Sequence, residues 1–473
     1  MERKNRRRND LRRMRGARPK VSDQEIDTSD LTLFDLNMYF EAPSVRGQLR
    51  PISGNEDSRL APVLLWGIGD DSVLVRGESG SAKSEIIKAT IALIFGDEGL
   101  EGLNPDVYLF DASSEQGQQN QDTVEDVKRC THTYIPELQN AENQFWILKK
   151  WMEDEIAKRQ RTTGGGDGRE TIRLPPRPVL SSLAVGNEVM SKVPLEIVRR
   201  MSHAWTDSGK EINQAVQRRK AEVRYLPEDD IVTFEGEKLR ALRAKVHKAM
   251  RENRKVINPY GPKVQEYLPK IFTVSNSFVD YFLDIIEAVT KYNMDNRYQT
   301  DEYIFSSLED NWQVIHTFGS IFSDMCLGID DVGRNLAKKF PLSQRQSWGG
   351  DDGLRAEVTE ESNDHLSVGE VLILFKDMGK QRSKEAAEFV LNRLVSAGIL
   401  EVEQMGRKKY YVRYVDLDDH RTIDWNEIEA EGKEWMEKYY SDHYEEWKSL
   451  NSYKTIIPTG PKRGEEHQIL VRS

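Results

Sequence analysis

The stretch Val73–Thr90, VLVRGESGSAKSEIIKAT, limits what this chain can fold into more than any other. Ser72–Val75 is a short apolar, β-branched run of the kind a buried strand uses. Beyond Ser84, residues Ile86, Ile87, Thr90, Ile91 and Ile94 recur at helical spacing. A strand, a glycine loop, Lys-Ser and a helix together turn backbone N–H groups and a helix N-terminus toward an anion. The spacing is that of Gly-x-x-x-x-Gly-Lys-Ser, except that Ala82 replaces the second glycine and adds one methyl group. Gly77 and Gly80 supply the tight backbone, and Glu78, Ser79, Ser81 and Ala82 complete the cradle. Lys83 is placed to reach β- and γ-phosphates, and the Ser84 hydroxyl to bind Mg²⁺. ATP and Mg²⁺ are therefore the expected ligands. The plain alternative is a glycine turn joining a strand to a helix.

The chain beyond this helix alternates in the same way. VYLFDASS at 107–114 reads as a second strand and Thr131–Ile135, ending in YIPEL, as a third. NQFWILKKWMEDEIAKRQR reads as an amphipathic helix with Trp146, Leu148 and Trp151 toward the core. In RTTGGGDGRETIRLPPR, glycines flanked by β-formers suggest a hairpin, and PVLSSLAVGNE supplies a fourth strand. Strands alternating with helices predict an α/β fold with a parallel, helix-covered sheet. The domain plan is a basic tail at 1–20, an irregular lead-in at 21–59, a nucleotide-binding core at 60–205 and a helical lid at 206–342. A linker at 343–360, a small domain at 361–416 and an acidic, aromatic segment at 417–473 complete it. A length of 473 residues suits this plan, at roughly 100–200 residues per domain.

The Ala-Lys-Ser ending resembles the phosphate loop of minichromosome-maintenance (MCM) helicases and related AAA+ ATPases, and further motifs stand in the order that family uses. Glu137, ending the third strand, matches the acid that orients the attacking water. Asn187 in AVGNE resembles sensor 1, which contacts the γ-phosphate or that water. LEIVRRMSHAWTDSGKE resembles the segment whose arginine enters a neighbouring subunit's site, with Arg199 or Arg200 in that role. The resemblance covers roughly residues 60–325 and extends to replication ATPases of archaeal and viral mobile elements, whose acid also comes after Tyr-Ile-Pro. Two positions depart from the family. Pro136 stands where an aspartate holds Mg²⁺, and no arginine opens the lid helix near Ser277; Arg297 lies a few turns on. Glu137 as a plain helix cap is the alternative at that position.

Several features point to DNA. Lys158, Arg159, Arg161 and Arg169 gather around the hairpin glycines, where ring helicases of the family carry a pore hairpin; a solvated surface hairpin is the competing reading. Residues 365–415 read as helix, turn, helix and a two-stranded wing, with Ser367 and Glu370 forming a capping box. This resembles a winged helix. Lys380, Arg382, Arg407, Lys408 and Lys409 are placed to meet phosphates, whereas Glu385 and Glu388 on the second helix argue against tight base reading, and such modules also bind proteins. Residues 1–20 hold ten Lys/Arg and two acids, a net +8 in a chain of net charge −11, which suits a disordered arm on nucleic-acid phosphates, a solvated tail or a localisation signal. On the C-terminal helix, Trp425, Ile428, Trp435, Tyr439 and Trp447 form a stripe expected to pack on the winged helix, with a replication-protein partner as the alternative.

Composition excludes other classes. With 31% charged residues and a mean hydropathy of −0.66, the chain reads as soluble, and no apolar run approaches the roughly 18 residues of a membrane span. Charged opening residues with no apolar stretch behind them predict no secretory leader. Cys130 and Cys326 form no ligand pattern and suit a reducing cytoplasm. The resulting expectation is an ATP-hydrolysing DNA motor, a replicative helicase or initiator, working as a homo-oligomeric, hexameric ring. An ATP-controlled DNA-binding regulator with slow hydrolysis and an AAA+ protein remodeller are the alternatives.

Overall fold

The computed structural model describes residues 26–41, 56–77, 81–96, 106–109, 129–142, 145–153, 155–162, 169–184, 193–194, 196–197, 200–206, 236–267, 275–327, 331–341, 365–379, 382–396, 399–405, 408–413 and 424–450, with scattered single positions between them. The basic tail, Glu78–Gly80, Asn187, Arg199, Lys380, Arg407 and the linker 343–360 lie outside the described residues.

The chain enters through α1 (Leu33–Glu41) and α2 (Glu56–Ala61), and α2 runs into a buried, more widely wound turn at Pro62–Ile68. The lead-in is thus partly regular: Leu33, Leu36 and Phe40 of α1 enter the main core. β1 (Val73–Gly77) leads through the phosphate-loop stretch to α3 (Lys83–Phe95), followed by β2 (Val107–Leu109) and β3 (His132–Ile135). α4 (Phe145–Met152) precedes a hairpin of β4 (Ala157–Thr162) and β5 (Arg169–Leu174), and then come β6 (Val179–Ala184) and β7 (Ser202–Thr206). The helix expected through Arg161 therefore stops at Met152, because AKRQRT pairs with RETIRL and buries Ala157 and Leu174 at the hairpin's root.

Five strands form one parallel sheet in the order β2-β3-β6-β1-β7, so α/β with a parallel sheet is what the chain folds into. Both faces are covered, which is why its strands read as apolar runs rather than alternating ones. Side chains alternate between two cores. Val73, Val75, Leu180 and Ala204 join the core shared with α3 and the helical region, while Leu74, Val179, Leu183 and Ile135 join the one under α4.

The next region is mainly helical: α5 (Gly236–Arg251), the short α6 (Gly261–Val264), α7 (Ser275–Tyr292) and α8 (Leu308–Leu327). A small parallel pair, β8 (Lys255–Ile257) and β9 (Tyr303–Phe305), is added within it, where the sequence suggests helices alone. The Arg297 side chain is little exposed here, its Nε and Nη2 donating to the two oxygens of Asp310 at 2.8 and 2.7 Å, with Asn293 donating to the same carboxylate at 2.9 Å. It belongs to the interior of this region, with no guanidinium group left to face a nucleotide.

α9 (Asp331–Lys339), β10 (Leu366–Ser367), α10 (Val368–Asp377), α11 (Lys384–Ser396), β11 (Leu400–Met405) and β12 (Lys408–Arg413) share a third core. Their strands lie in the order β10-β12-β11, and the capping box of Ser367 and Glu370 opens α10. Leu336, Ala337 and Phe340 pack with Val371, Phe375 and Leu391, and Arg413 donates to the Ala337 carbonyl at 3.1 Å. α9 thus belongs to this unit, and the Gly/Asp/Ser-rich segment falls within its sequence rather than ahead of it.

α12 (Trp425–Tyr439) and α13 (Ser441–Leu450) carry the aromatic stripe. It covers the helical region, not the unit of the third core. Ile428, Met436 and Trp447 are buried in the main core, Gly432 lies where a Cβ would come 2.3 Å from Tyr260 Cδ1, and the Tyr298 hydroxyl donates to Glu446 at 2.8 Å. Lys263 of α6 meets Glu427 and Glu431 of α12, each at 2.9 Å. Among the described residues, no helix is long and apolar enough to cross a membrane.

Candidate functional site

In a parallel sheet the strands' carboxyl ends share one edge, and ligands of α/β folds bind beyond that edge. β1 ends there at Gly77, paired with Ala184 at the end of β6 and with Thr206 at the end of β7. Gly77 has no room for a side chain, since a Cβ would come 2.0 Å from Thr206 Oγ1 and 2.6 Å from Ser81 Oγ. α3 starts from Ala82 at φ 63°, ψ 13°, the left-handed conformation that glycine adopts without strain. The loop geometry thus keeps the glycine conformation although the residue is alanine, at a cost of roughly 1–2 kcal/mol. Ala82, at the N-cap position, offers no side chain to cap this helix N-terminus.

Lys83 is nearly buried, and its Nζ donates to the Gly77 carbonyl at 2.9 Å and lies 3.5 Å from Ser81 Oγ. Ser81 Oγ is 2.5 Å from Thr206 Oγ1, which donates to the Arg76 carbonyl at 3.0 Å. The ammonium is therefore held on a backbone acceptor at the end of β1. Thr206 is the member of this set that local patterns miss, because its partner Ser81 lies far away in sequence. A threonine closing the fifth strand, in AWTDSG, is the signal that marks it. Ser84 is exposed in the first turn of α3, free of the core and beside Lys83.

Glu137 stands just past the end of β3, exposed, and accepts from Gln139 Nε2 at 3.0 Å and Asn140 Nδ2 at 2.9 Å. It stands at the N-cap position of a short turn, Leu138–Asn140, and its side chain accepts none of that turn's backbone N–H groups. β6 separates β3 from β1, so Glu137 and the loop are roughly 10 Å apart across the sheet edge at ~4.8 Å per strand. Two serines pin this end of β3: Ser181 Oγ donates to the Ile135 carbonyl at 2.8 Å and Ser182 Oγ to that of Pro136 at 2.5 Å. Burial, with Glu137 nearby, pushes the Tyr134 phenol up to about 12.

The donor set suits a nucleotide with Mg²⁺: a lysine and the N–H groups opening α3 for phosphates, and Ser84 for a metal that keeps several waters. Among the described residues there is no cluster of three or more His, Cys, Asp or Glu that could hold a metal ion.

Arg200 lies two residues before β7, at the opposite edge of the sheet from Gly77. Its Nη1 donates to Glu153, its Nη2 donates to Glu196 at 2.9 Å, and its carbonyl accepts the Tyr281 hydroxyl at 2.6 Å. It cannot reach the phosphate loop of its own chain. Lys158 pairs in register with Arg173, Arg161 with Glu170 and Thr162 with Arg169, so the basic positions run along both strands of the β4–β5 hairpin, whose tip lies about 17 Å from its root at 3.3 Å per residue. Arg382 is exposed just before α11, and Lys408 and Lys409 are exposed where β12 begins. α11 presents Lys384, Glu385, Phe389 and Asn392 outward.

No known protein-family profile matches the chain, and no curated protein is similar enough to count as a relative.

Proposed function

We propose that this chain is an AAA+ ATPase that uses ATP to move on or unwind DNA, working as a ring in replication as a helicase or initiator. The observation that carries this reading is one sheet edge where Ala82 takes the glycine conformation and Lys83 lies on the Gly77 carbonyl, with the exposed carboxylate of Glu137 across β6. ATP phosphates take the place of the Gly77 carbonyl as partner of Lys83, and the N–H groups opening α3 receive them. Glu137, already oriented by Gln139 and Asn140, positions the attacking water, and Asn187, from the chain after β6, contacts it. Mg²⁺, held by Ser84 and the phosphates, supplies charge neutralisation. Arg200 lies at the far edge with its fork on Glu153 and Glu196, which leaves Arg199 as the arginine offered to a neighbouring subunit's site.

DNA as the substrate is supported by the basic hairpin and by the C-terminal unit. Its order α9-β10-α10-α11-β11-β12, with β12 between the other two strands, supports the winged-helix reading, and Arg382, Lys408 and Lys409 are exposed on it. A second reading, an ATP-controlled regulator with slow turnover, is favoured by Pro136, whose carbonyl accepts the Ser182 hydroxyl where the family holds metal. Strand displacement on forked DNA separates the two. A motor unwinds with ATP, loses unwinding in Glu137→Gln while still binding nucleotide, and binds none in Lys83→Ala. ATP-dependent binding to a duplex with no displacement overturns the motor in favour of the regulator.

A further inference from the structure

A continuous set of contacts leads from the phosphate loop to the basic hairpin, and Arg200 is its junction. α3 carries Lys83 at its first turn, and the carbonyls of Ala92 and Ile94 in its last turn meet Arg243 at 2.8 Å and His247 at 2.6 Å, both on α5. α5 and α7 pack together in the main core through Leu242, Val246, Phe282 and Ile286. From α7, the Tyr281 hydroxyl donates to the Arg200 carbonyl. The Arg200 guanidinium then holds Glu153, just beyond α4, and four residues later the chain enters β4 at Ala157, the buried root of the hairpin. Glu196 and, through it, Lys149 at 3.0 Å keep the same guanidinium from turning outward.

An arginine that enters a neighbour's phosphate site needs its fork free for the phosphate oxygens. The Arg200 fork is occupied by two carboxylates of its own chain, and its backbone is tied to the helical region. We propose that Arg200 is a positioning residue that transmits the state of the phosphate loop to the β4–β5 hairpin through Tyr281 and Glu153, and that it does not contact phosphate. The inference rests on the nucleotide reading of the loop. The hydrogen bond from Arg200, together with its charge, also holds the Glu153 carboxyl below its usual range.

Hydrogen–deuterium exchange on the full chain, with and without ATPγS and Mg²⁺, tests the two claims separately. In the wild type, nucleotide slows exchange over residues 77–90 and changes exchange over 157–174 by at least twofold. Tyr281→Phe, which keeps the ring and removes the hydroxyl, and Glu153→Gln retain the first effect and lose the second. Arg200→Lys, able to hold one carboxylate, keeps about half of it. Should Tyr281→Phe melt well below the wild type, Glu153→Gln carries the test alone. Protection at 77–90 with 157–174 unresponsive in the wild type, or responsive in both variants, overturns the junction and leaves the nucleotide site standing. Absence of protection at 77–90 overturns the nucleotide reading and the junction together.

Discussion

Gly77 and Lys245 show how single side chains govern this molecule. Adding a methyl group at Gly77 drives it into Thr206 and Ser81, so Gly77→Ala should lose about 1–3 kcal/mol of stability in urea unfolding and its nucleotide binding as well. Lys245 is buried, donates to the Thr28 carbonyl at 2.9 Å and lies 5.0 Å from the Tyr292 ring centre. Burial lowers its pKa from 10.5 to about 8. Between those two values the unfolded chain holds a proton that the folded chain has released, so this lysine makes stability rise with pH from about 8 to about 10.5 and penalises the folded state below 8. The difference in urea midpoint between wild type and Lys245→Met should therefore hold level up to about pH 8 and shrink from there to pH 10, and a difference flat over the whole range would refute the assignment. At this scale the sequence is legible where function is local: Gly77, Lys83 and Ser84 stand within eight residues. Thr206, Ser181 and Ser182 are not legible, because each acts on a carbonyl or hydroxyl brought to it by strand pairing.

Among the elements, the C-terminal pair α12–α13 shows what periodicity can and cannot reveal. An aromatic stripe at helical spacing states that a face is covered, and Trp447 and Ile428 are indeed buried. It does not state by what. The covering surface consists of Tyr260, Tyr298 and Phe305, assembled from distant segments and recognisable only once folded. Trp447→Ala should cost about 3–5 kcal/mol and, in thermal melting, unfold the helical region rather than the unit around α10 and α11. The basic run AKRQR reads as the tail of a helix because its residues are good helix formers, yet pairing across the hairpin outweighs that preference. The capping box at Ser367 and Glu370, by contrast, is a complete local signal, and the structure carries both of its hydrogen bonds.

For the whole molecule, the alternation of strands and helices makes a parallel sheet readable, but not its strand order or the sharing of α9 with the C-terminal unit, since both depend on long-range packing. A ring with sites shared between subunits makes a sharp prediction. Lys83→Ala and the double variant Arg199→Ala/Arg200→Ala should each be inactive in ATP turnover. Mixed in equal amounts, they should recover a measurable fraction, because a Lys83→Ala subunit still offers its arginine turn to a neighbour whose phosphate loop is intact. A mixture as silent as its components, from a protein that sediments as a monomer with ATP, would remove the ring.

One core contains both Leu33 and Trp447. During synthesis this matters, because the segment that closes that core leaves the ribosome after all the other parts of it, on the order of tens of seconds after α1 at about 5–20 residues per second. Until then the ring faces of Tyr260, Tyr298 and Phe305, buried in the finished protein, have nothing over them. The newborn chain must therefore wait with an adhesive surface open to solvent or to a chaperone. Arrested nascent chains ending before Trp425 should be captured by a holdase and cut readily by protease, and chains released with α13 attached should escape both.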